Sequence, residues 1–258
     1  IPLRLVGSEM CIRDSAQAVD AVRWCHENGL KGVMLPTLWG EHAAYHDVKY
    51  DPFWEACQDL GIVIHFHSGP APHNEYFGPA FPNEDRSAEL PGAMGAYVSE
   101  VMFWLYRPLT FMLWGGVFER FPRLKTMVVE GGTMFMVPSW LMLLDHNYTD
   151  IQFSAKLGDF RSHLSMAPSE YFARNCGIGA SCVPRRDLDM RDQIGLKQIM
   201  WGSDFPHPEG TWPNTAQYYS DTFKGFDADD GRQILGGNAI EFYGLDPVSY
   251  THLRAHET

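Results

Sequence analysis

The sequence of 258 residues is long enough for one large α/β domain, and 45% of its residues are hydrophobic. Its formal net charge of −12 argues against nucleic acid as a partner, because such binding needs a basic surface. No apolar run approaches the roughly 20 residues of a membrane-spanning helix, and five scattered cysteines without a C-x-x-C pair favour a reduced, cytoplasmic protein.

Helix and strand patterns alternate along the chain. Apolar positions three apart at Val19, Val22 and Cys25 indicate a helix, and short apolar runs bounded by glycine or proline indicate buried strands. The predicted helices are 16–28, 51–60, 92–118, 138–148, 215–223 and 228–235, and the predicted strands are 32–35, 62–66, 125–129, 175–179 and 198–201. The Pro- and Gly-rich stretch 70–91 is predicted to be an ordered lid.

Strands that alternate with helices through short connections are typical of a parallel sheet. The five predicted strands fit an open doubly wound sheet. They fit equally well the last five strands of an eight-stranded barrel whose first three are absent.

Reactive side chains follow the last predicted strand. Asp204 and His207 come within a few positions of its end, where prolines and a glycine turn the chain into a loop. Parallel α/β folds keep reactive groups at the carboxyl ends of their strands, so this pair is a candidate for chemistry. The alternative is a loop capped by an aspartate, with a surface histidine beside it.

Four motifs together resemble a known family. They are VIHFHSG at 63–69, GGVFERFPRLK at 115–125, VEGG at 129–132 and WGSDFPH at 201–207, with the late pair Asn238-Ala239. The chain resembles the amidohydrolase-related family that includes aminocarboxymuconate-semialdehyde decarboxylase and resorcylate-type decarboxylases. The resemblance implies a distorted (β/α)8 barrel of the TIM type. It also implies one divalent metal ion, zinc or manganese, at the C-terminal face of that barrel.

The resemblance also implies the roles of three residues. His67 stands where the family's strand-5 metal ligand stands, and Asp204 stands where its strand-8 metal ligand and proton carrier stands. The strand-1 pair, His-x-His or Glu-x-His, has no counterpart here. Glu130 replaces a histidine that the family often places before two glycines, and we interpret it as an acid/base catalyst, with a buried structural carboxylate as the alternative.

Three further residues complete the predicted site. His65 shares a strand face with His67 if the strand is regular, and it is predicted to bind substrate or to support the metal. His207 and Trp212 are predicted to line the substrate pocket, although simple packing is the alternative for Trp212.

The function that follows is a metal-dependent enzyme that hydrolyses or non-oxidatively decarboxylates a small carboxylated or aromatic compound. Glu130 would repel a substrate carboxylate, which favours hydrolysis. The alternative is an inactive fragment, or a barrel that binds a ligand without catalysis. We expect the full-length parent protein to be a homodimer.

The two ends of the chain lack helix or strand periodicity. Residues 1–15 and 247–258 resemble translated sequencing adapters, and we interpret both as artefactual termini that pack poorly. The barrel domain would then comprise residues 16–246, with a native N-terminal portion missing.

Overall fold

The computed structural model of the chain describes residues 15–37, 43–67, 92–130, 135–150 and 156–246. The predicted lid and the predicted artefactual termini lie outside these ranges, apart from Ser15, so both interpretations stay predictions. No helix within the described ranges combines the length and the apolar character needed to cross a membrane.

Five strands and eleven α-helices alternate along the described chain. The strands are β1 (Gly32–Leu35), β2 (Val63–Phe66), β3 (Thr126–Val129), β4 (Cys176–Ser181) and β5 (Ile199–Gly202). The helices are α1 (Ser15–Glu27), α2 (Asp51–Leu60), α3 (Ala93–Trp114), α4 (Val117–Arg120), α5 (Met136–Thr149), α6 (Pro168–Asn175), α7 (Arg185–Leu188), α8 (Arg191–Ile194), α9 (Thr215–Thr222), α10 (Ala228–Arg232) and α11 (Asn238–Tyr243). A π-helical turn, Gln233–Gly237, joins α10 to α11.

The sheet is parallel throughout, and its strands lie side by side in chain order, β1-β2-β3-β4-β5. A doubly wound sheet reverses its strand order at a switch point and carries helices on both faces. Strands added always in one direction through right-handed crossovers keep their helices on one face, as in a TIM barrel. The order therefore decides between the two predicted architectures in favour of the barrel type.

The two faces of the sheet are packed differently. On one face, alternate residues such as Ile64, Val128 and Ile178 join the main hydrophobic core under the helices. On the other face, Val63, Met127 and Met200 form a small cluster of their own. Successive side chains of a strand point to opposite faces, so residues in phase with this small cluster face the barrel interior.

Two predicted helices end several residues earlier than the sequence pattern indicated. The helix predicted over 92–118 stops at Trp114, because Gly115 and Gly116 form a turn in which Gly116 has a φ of +64°. The helix predicted over 228–235 ends at Arg232 and continues as the π-helical turn. Asp51 is the first residue of α2, and its carboxylate pairs with Arg120 at 2.9 Å.

Candidate active site

Three charged or titratable side chains meet at the carboxyl edge of the sheet. His67 follows β2, Glu130 follows β3 and Asp204 lies two positions beyond β5. All three line one cavity of about 560 Å³, which continues along the barrel interior. The family resemblance implied a common site for these residues, and the chemical roles assigned to them stay predictions.

The backbone at this edge is unusual in the same way on three neighbouring strands. Within the described ranges, three residues other than glycine have a positive φ: Glu130 at 55°, Cys182 at 50° and Asp204 at 58°. Each lies just past the end of β3, β4 or β5. Left-handed backbone is unfavourable for residues with a Cβ and is concentrated at functional sites. This edge of the sheet therefore has the backbone signature of a functional site.

A compact loop holds Asp204 in place. The carbonyl of Asp204 accepts a hydrogen bond from the amide of His207 at 2.8 Å, and the amide of Thr211 donates to the carbonyl of Ser203 at 3.0 Å, which closes the loop. Gly210 lies against these carbonyls, and a Cβ at that position would come within 2.7 Å of the Asp204 oxygen. The loop can therefore close only because residue 210 has no side chain.

The electrostatics of the site centre on its two carboxylates. Glu130 Oε2 lies 3.0 Å from Nε2 of His67, and the two side chains are 30% and 31% exposed. Burial, the negative charge of Glu130 and a hydrogen bond with Glu130 raise the pKa of Asp204, while His207 and His67 oppose the shift. Asp204 therefore holds a proton more readily than an ordinary aspartate.

His65 lines the same cavity as His67, but it lies deeper in the barrel. Its Nδ1 is 3.2 Å from the carbonyl oxygen of Val33, and its Nε2 is 2.7 Å from the hydroxyl of Tyr243. Burial lowers the pKa of His65 to about 4. Both ring nitrogens are engaged by the protein, so this geometry does not favour His65 as a metal ligand.

His207 and Trp212 lie outside the residues that line this cavity. The side chain of His207 is 53% exposed, and its Nδ1 is 3.4 Å from Oδ2 of Asp204. Trp212 is 67% exposed, and its ring packs edge-on against Phe205 at 5.7 Å. His207 thus flanks the acidic site, Trp212 lies on the surface, and substrate contact by either remains a prediction.

Sequence reasoning missed two residues of this region. Tyr243 lies at the deep end of the cavity, and nothing in the local sequence distinguishes it from a packing tyrosine. Cys182 follows β4 and donates from its sulfur to the carbonyl of Glu209 at 3.4 Å. Burial and the charges of Asp204, Glu209 and Glu130 raise the pKa of the Cys182 thiol, so it stays protonated at neutral pH.

The donor types at the cavity mouth fit a divalent metal ion. His67 offers an imidazole nitrogen and Asp204 a carboxylate oxygen, both of which zinc and manganese accept. Glu130 adds a second carboxylate beside them. Within the described ranges, however, no three His, Cys, Asp or Glu side chains are grouped so as to hold one metal ion. The described part thus supplies two ligand candidates, where a catalytic metal normally has about three protein ligands.

Comparison with known sequences assigns the chain to a family. The amidohydrolase family matches residues 4–245. The chain belongs to the amidohydrolase family. The chain is also 26% identical, over 255 residues, to 2-amino-3-carboxymuconate-6-semialdehyde decarboxylase of Dictyostelium discoideum. That alignment covers 96% of this chain and 64% of the relative, so the chain spans less than two thirds of the relative's length.

Solved structures of this amidohydrolase's relatives confirm the fold. The 5-carboxyvanillate decarboxylase of Sphingomonas paucimobilis superposes with a TM-score of 0.69 at 22% identity, over 91% of this chain and 64% of that one. A dihydroxybenzoic acid decarboxylase of Polaromonas sp. JS666, solved with manganese and 2-nitroresorcinol, gives a TM-score of 0.65 at 22% identity, over 90% and 67%. The parallel α/β fold of the amidohydrolase barrel type, predicted from the sequence motifs, is thus confirmed, while the absence of the first three strands stays a prediction.

Proposed function

We propose that this amidohydrolase-family chain carries the site of a metal-dependent carboxy-lyase, which removes carbon dioxide non-oxidatively from a small aromatic or otherwise carboxylated compound. The observation that carries the proposal is the meeting of His67, Glu130 and Asp204 at one cavity mouth. The decarboxylase relatives support this choice of reaction, and the manganese bound by one of them supports a divalent ion, manganese or zinc, as the cofactor.

In this proposal His67 and Asp204 hold the ion, which when bound polarises oxygen atoms of the substrate. The apolar walls of the cavity, formed by residues such as Met127, Val129 and Met200, accept the body of the substrate and exclude water. The bond between the ring carbon and the carboxyl carbon breaks, and its electron pair stays on the ring carbon. Asp204 in its protonated form gives a proton to that carbon, and water returns the proton to Asp204.

A second candidate reaction is hydrolysis, which Glu130 favours. An ionised Glu130 at the cavity mouth repels a substrate carboxylate, whereas it can accept a proton from an attacking water. The lining of this cavity includes one Lys and no Arg within the described ranges, so no protein guanidinium offsets that repulsion there. A neutral ester, amide or lactone would meet no such repulsion.

One set of assays distinguishes decarboxylation from hydrolysis, and both from a chain that is inactive. The chain is incubated with Mn²⁺ or Zn²⁺ and with a panel of aromatic carboxylates, and release of carbon dioxide is measured. Neutral esters and lactones form the second arm. The proposal expects carbon dioxide release that depends on metal. Hydrolysis alone would support the second candidate, and metal binding without turnover in either arm would support a ligand-binding barrel.

We further propose that the protein forms a homodimer through the face shared by α3 and α5. Phe103, Phe135 and Leu143 line a groove there and are 64%, 48% and 58% exposed. Exposed apolar surface of this kind marks protein interfaces. Light scattering after size-exclusion chromatography should give twice the chain mass, and Leu143→Glu should reduce it to one chain. A monomeric wild type would contradict the proposal.

A cytoplasmic location is the last part of the proposed function. Cys25, Cys57, Cys176 and Cys182 are free thiols, as is usual in a reducing compartment. Fractionation of the source cells, with immunoblotting of each fraction, tests this location.

A further inference from the structure

The C-terminal helix α11 ties together three strands at the end of the barrel opposite the acidic site. The amide group of Asn238 donates to the carbonyl of Leu196, in the 3-10 turn before β5, at 2.7 Å and to the carbonyl of Ile199, the first residue of β5, at 2.8 Å. Lys125, which precedes β3, donates to the carbonyl of Phe242 at 2.8 Å. Tyr243 reaches into the interior and contacts His65 of β2. The helix therefore closes the deep end of the cavity and bonds to its walls.

The ring of His65 is confined on three sides by these contacts. The carbonyl of Val33 binds Nδ1 at 3.2 Å, and the hydroxyl of Tyr243 binds Nε2 at 2.7 Å. The Tyr243 ring also stacks on the imidazole, with centroids 5.8 Å apart and planes inclined by 12°. On the β1 side the ring fills the space left by Gly32, where a Cβ would come within 2.1 Å of His65 Cε1. One ring position satisfies all these contacts.

The hydrogen bonds also fix which nitrogen carries the proton. A carbonyl can only accept, so Nδ1 of His65 donates to Val33. In the neutral ring with its hydrogen on Nδ1, Nε2 carries no hydrogen and accepts from the hydroxyl of Tyr243, 2.7 Å away. Burial also raises the pKa of Tyr243, so this phenol stays protonated.

We infer that Tyr243 is a positioning residue for the candidate metal site. Tyr243 holds the side chain of His65 and so fixes the end of β2. The position of that strand end in turn sets the orientation of the His67 imidazole toward the carboxylate of Glu130. β2 has four residues, and its last register partner with β3 is Phe66, so His67 lies just beyond the sheet hydrogen bonds. The anchored interior residue nearest to His67 on its own strand face is His65, two positions earlier. The inference deepens the proposed function and rests on it for the role of His67.

Tyr243→Phe tests the inference because it removes one hydroxyl and keeps the stacked ring. The matched control is Tyr218→Phe, which removes a hydroxyl bonded to the carbonyl of Val183 at 2.9 Å, away from β2. Histidine ring ¹⁵N NMR of the metal-free chains reports the tautomer of His65 and the environment of His67. Calorimetric titration with Zn²⁺ alone reports the affinity of the candidate metal site.

In the wild type we expect the Nδ1–H tautomer of His65. Tyr243→Phe should change the His65 signals, shift those of His67 and weaken Zn²⁺ binding about fivefold, a smaller effect than loss of a direct partner of a ligand. Tyr218→Phe should do none of these. Gly32→Ala, which displaces the same ring from the opposite side, should reproduce the shift of the His67 signals.

Two results would overturn the inference. One is an Nε2–H tautomer in the wild type, which needs no variant to observe. The other is a Tyr243→Phe chain with altered His65 signals but wild-type His67 signals. If the wild type binds no Zn²⁺, the proposed function fails, and the NMR comparison still decides whether Tyr243 positions His67.

Discussion

Two histidines that line the same cavity, His65 within β2 and His67 just past its end, have opposite environments. His67, at the cavity mouth, is 31% exposed and lies 3.0 Å from the carboxylate of Glu130. His65, two residues deeper, has both nitrogens bonded to Val33 and Tyr243, and its pKa is lowered to about 4. Alternation along a strand therefore determines the face of a side chain, whereas depth in the barrel determines whether that side chain is available for chemistry.

The largest expected effect is at the mouth. Asp204→Asn removes both a metal ligand candidate and the proposed proton donor, so kcat should fall at least about 100-fold while the far-UV circular dichroism spectrum is retained. The control is Asp221→Asn. Asp221 is an exposed residue of α9 whose carboxylate accepts from Gln217, one turn earlier in the same helix, and it lies outside the cavity lining. If the kcat of Asp204→Asn stayed within twofold of the wild-type value, the reaction would not depend on Asp204 at the cavity mouth.

At the deep end, the expected effect is on stability. Unfolded His65 takes up a proton near pH 6.5 and folded His65 near pH 4, so the unfolded state binds more protons between these values. The free energy of unfolding should therefore fall as pH decreases through that window, by about 2 kcal/mol between pH 7 and 4.5.

His65→Gln keeps an amide donor and acceptor but has no such titration. Urea unfolding of both chains across this pH range should give a shallower pH dependence for the variant. Parallel curves would show that His65 is not held neutral in the folded chain.

A smaller loss of activity is expected from the loop that holds Asp204. The Cβ of Gly210→Ala would come within 2.7 Å of the Asp204 carbonyl oxygen and 2.8 Å of that of Ser203, so the loop must shift. We expect kcat to fall about tenfold with little change in melting temperature, since misplacing a reactive group is costly. Gly236→Ala is the control, because its added Cβ meets nothing within 4 Å. Equal activity of the two variants would show that the loop does not position Asp204.

A smaller effect is expected when the charge of Glu130 is removed, and it should be confined to the mouth of the cavity. Glu130→Gln removes the charge that helps to raise the pKa of Asp204, so that pKa should fall. Carboxyl ¹³C NMR of the metal-free chain measures the change. The ring signals of His65 should stay the same, because burial dominates its environment. Altered ring signals of His65 together with an unchanged pKa of Asp204 would show that Glu130 acts on the deep end of the cavity and not on its mouth.

The sequence predicted the mouth of the cavity better than its deep end. Short apolar runs closed by glycine or proline located four of the five strands, and the family motifs at the ends of three of them pointed to His67, Glu130 and Asp204. Tyr243 was missed because it meets His65 across 178 residues of chain, and no local pattern encodes such a contact. Trp212 was expected in the pocket but packs on Phe205 at the surface, because the path of a loop depends on tertiary contacts.

The claim that the metal ion binds at the cavity mouth, and not at the deep end beside His65, is tested most directly by calorimetric titration with Mn²⁺. The chains compared are the wild type, Asp204→Asn and His65→Gln. We expect one ion per wild-type chain, at least tenfold weaker binding by Asp204→Asn, and a smaller loss for His65→Gln. Unchanged affinity in Asp204→Asn, together with loss of binding in His65→Gln, would contradict the assignment of the metal to the cavity mouth.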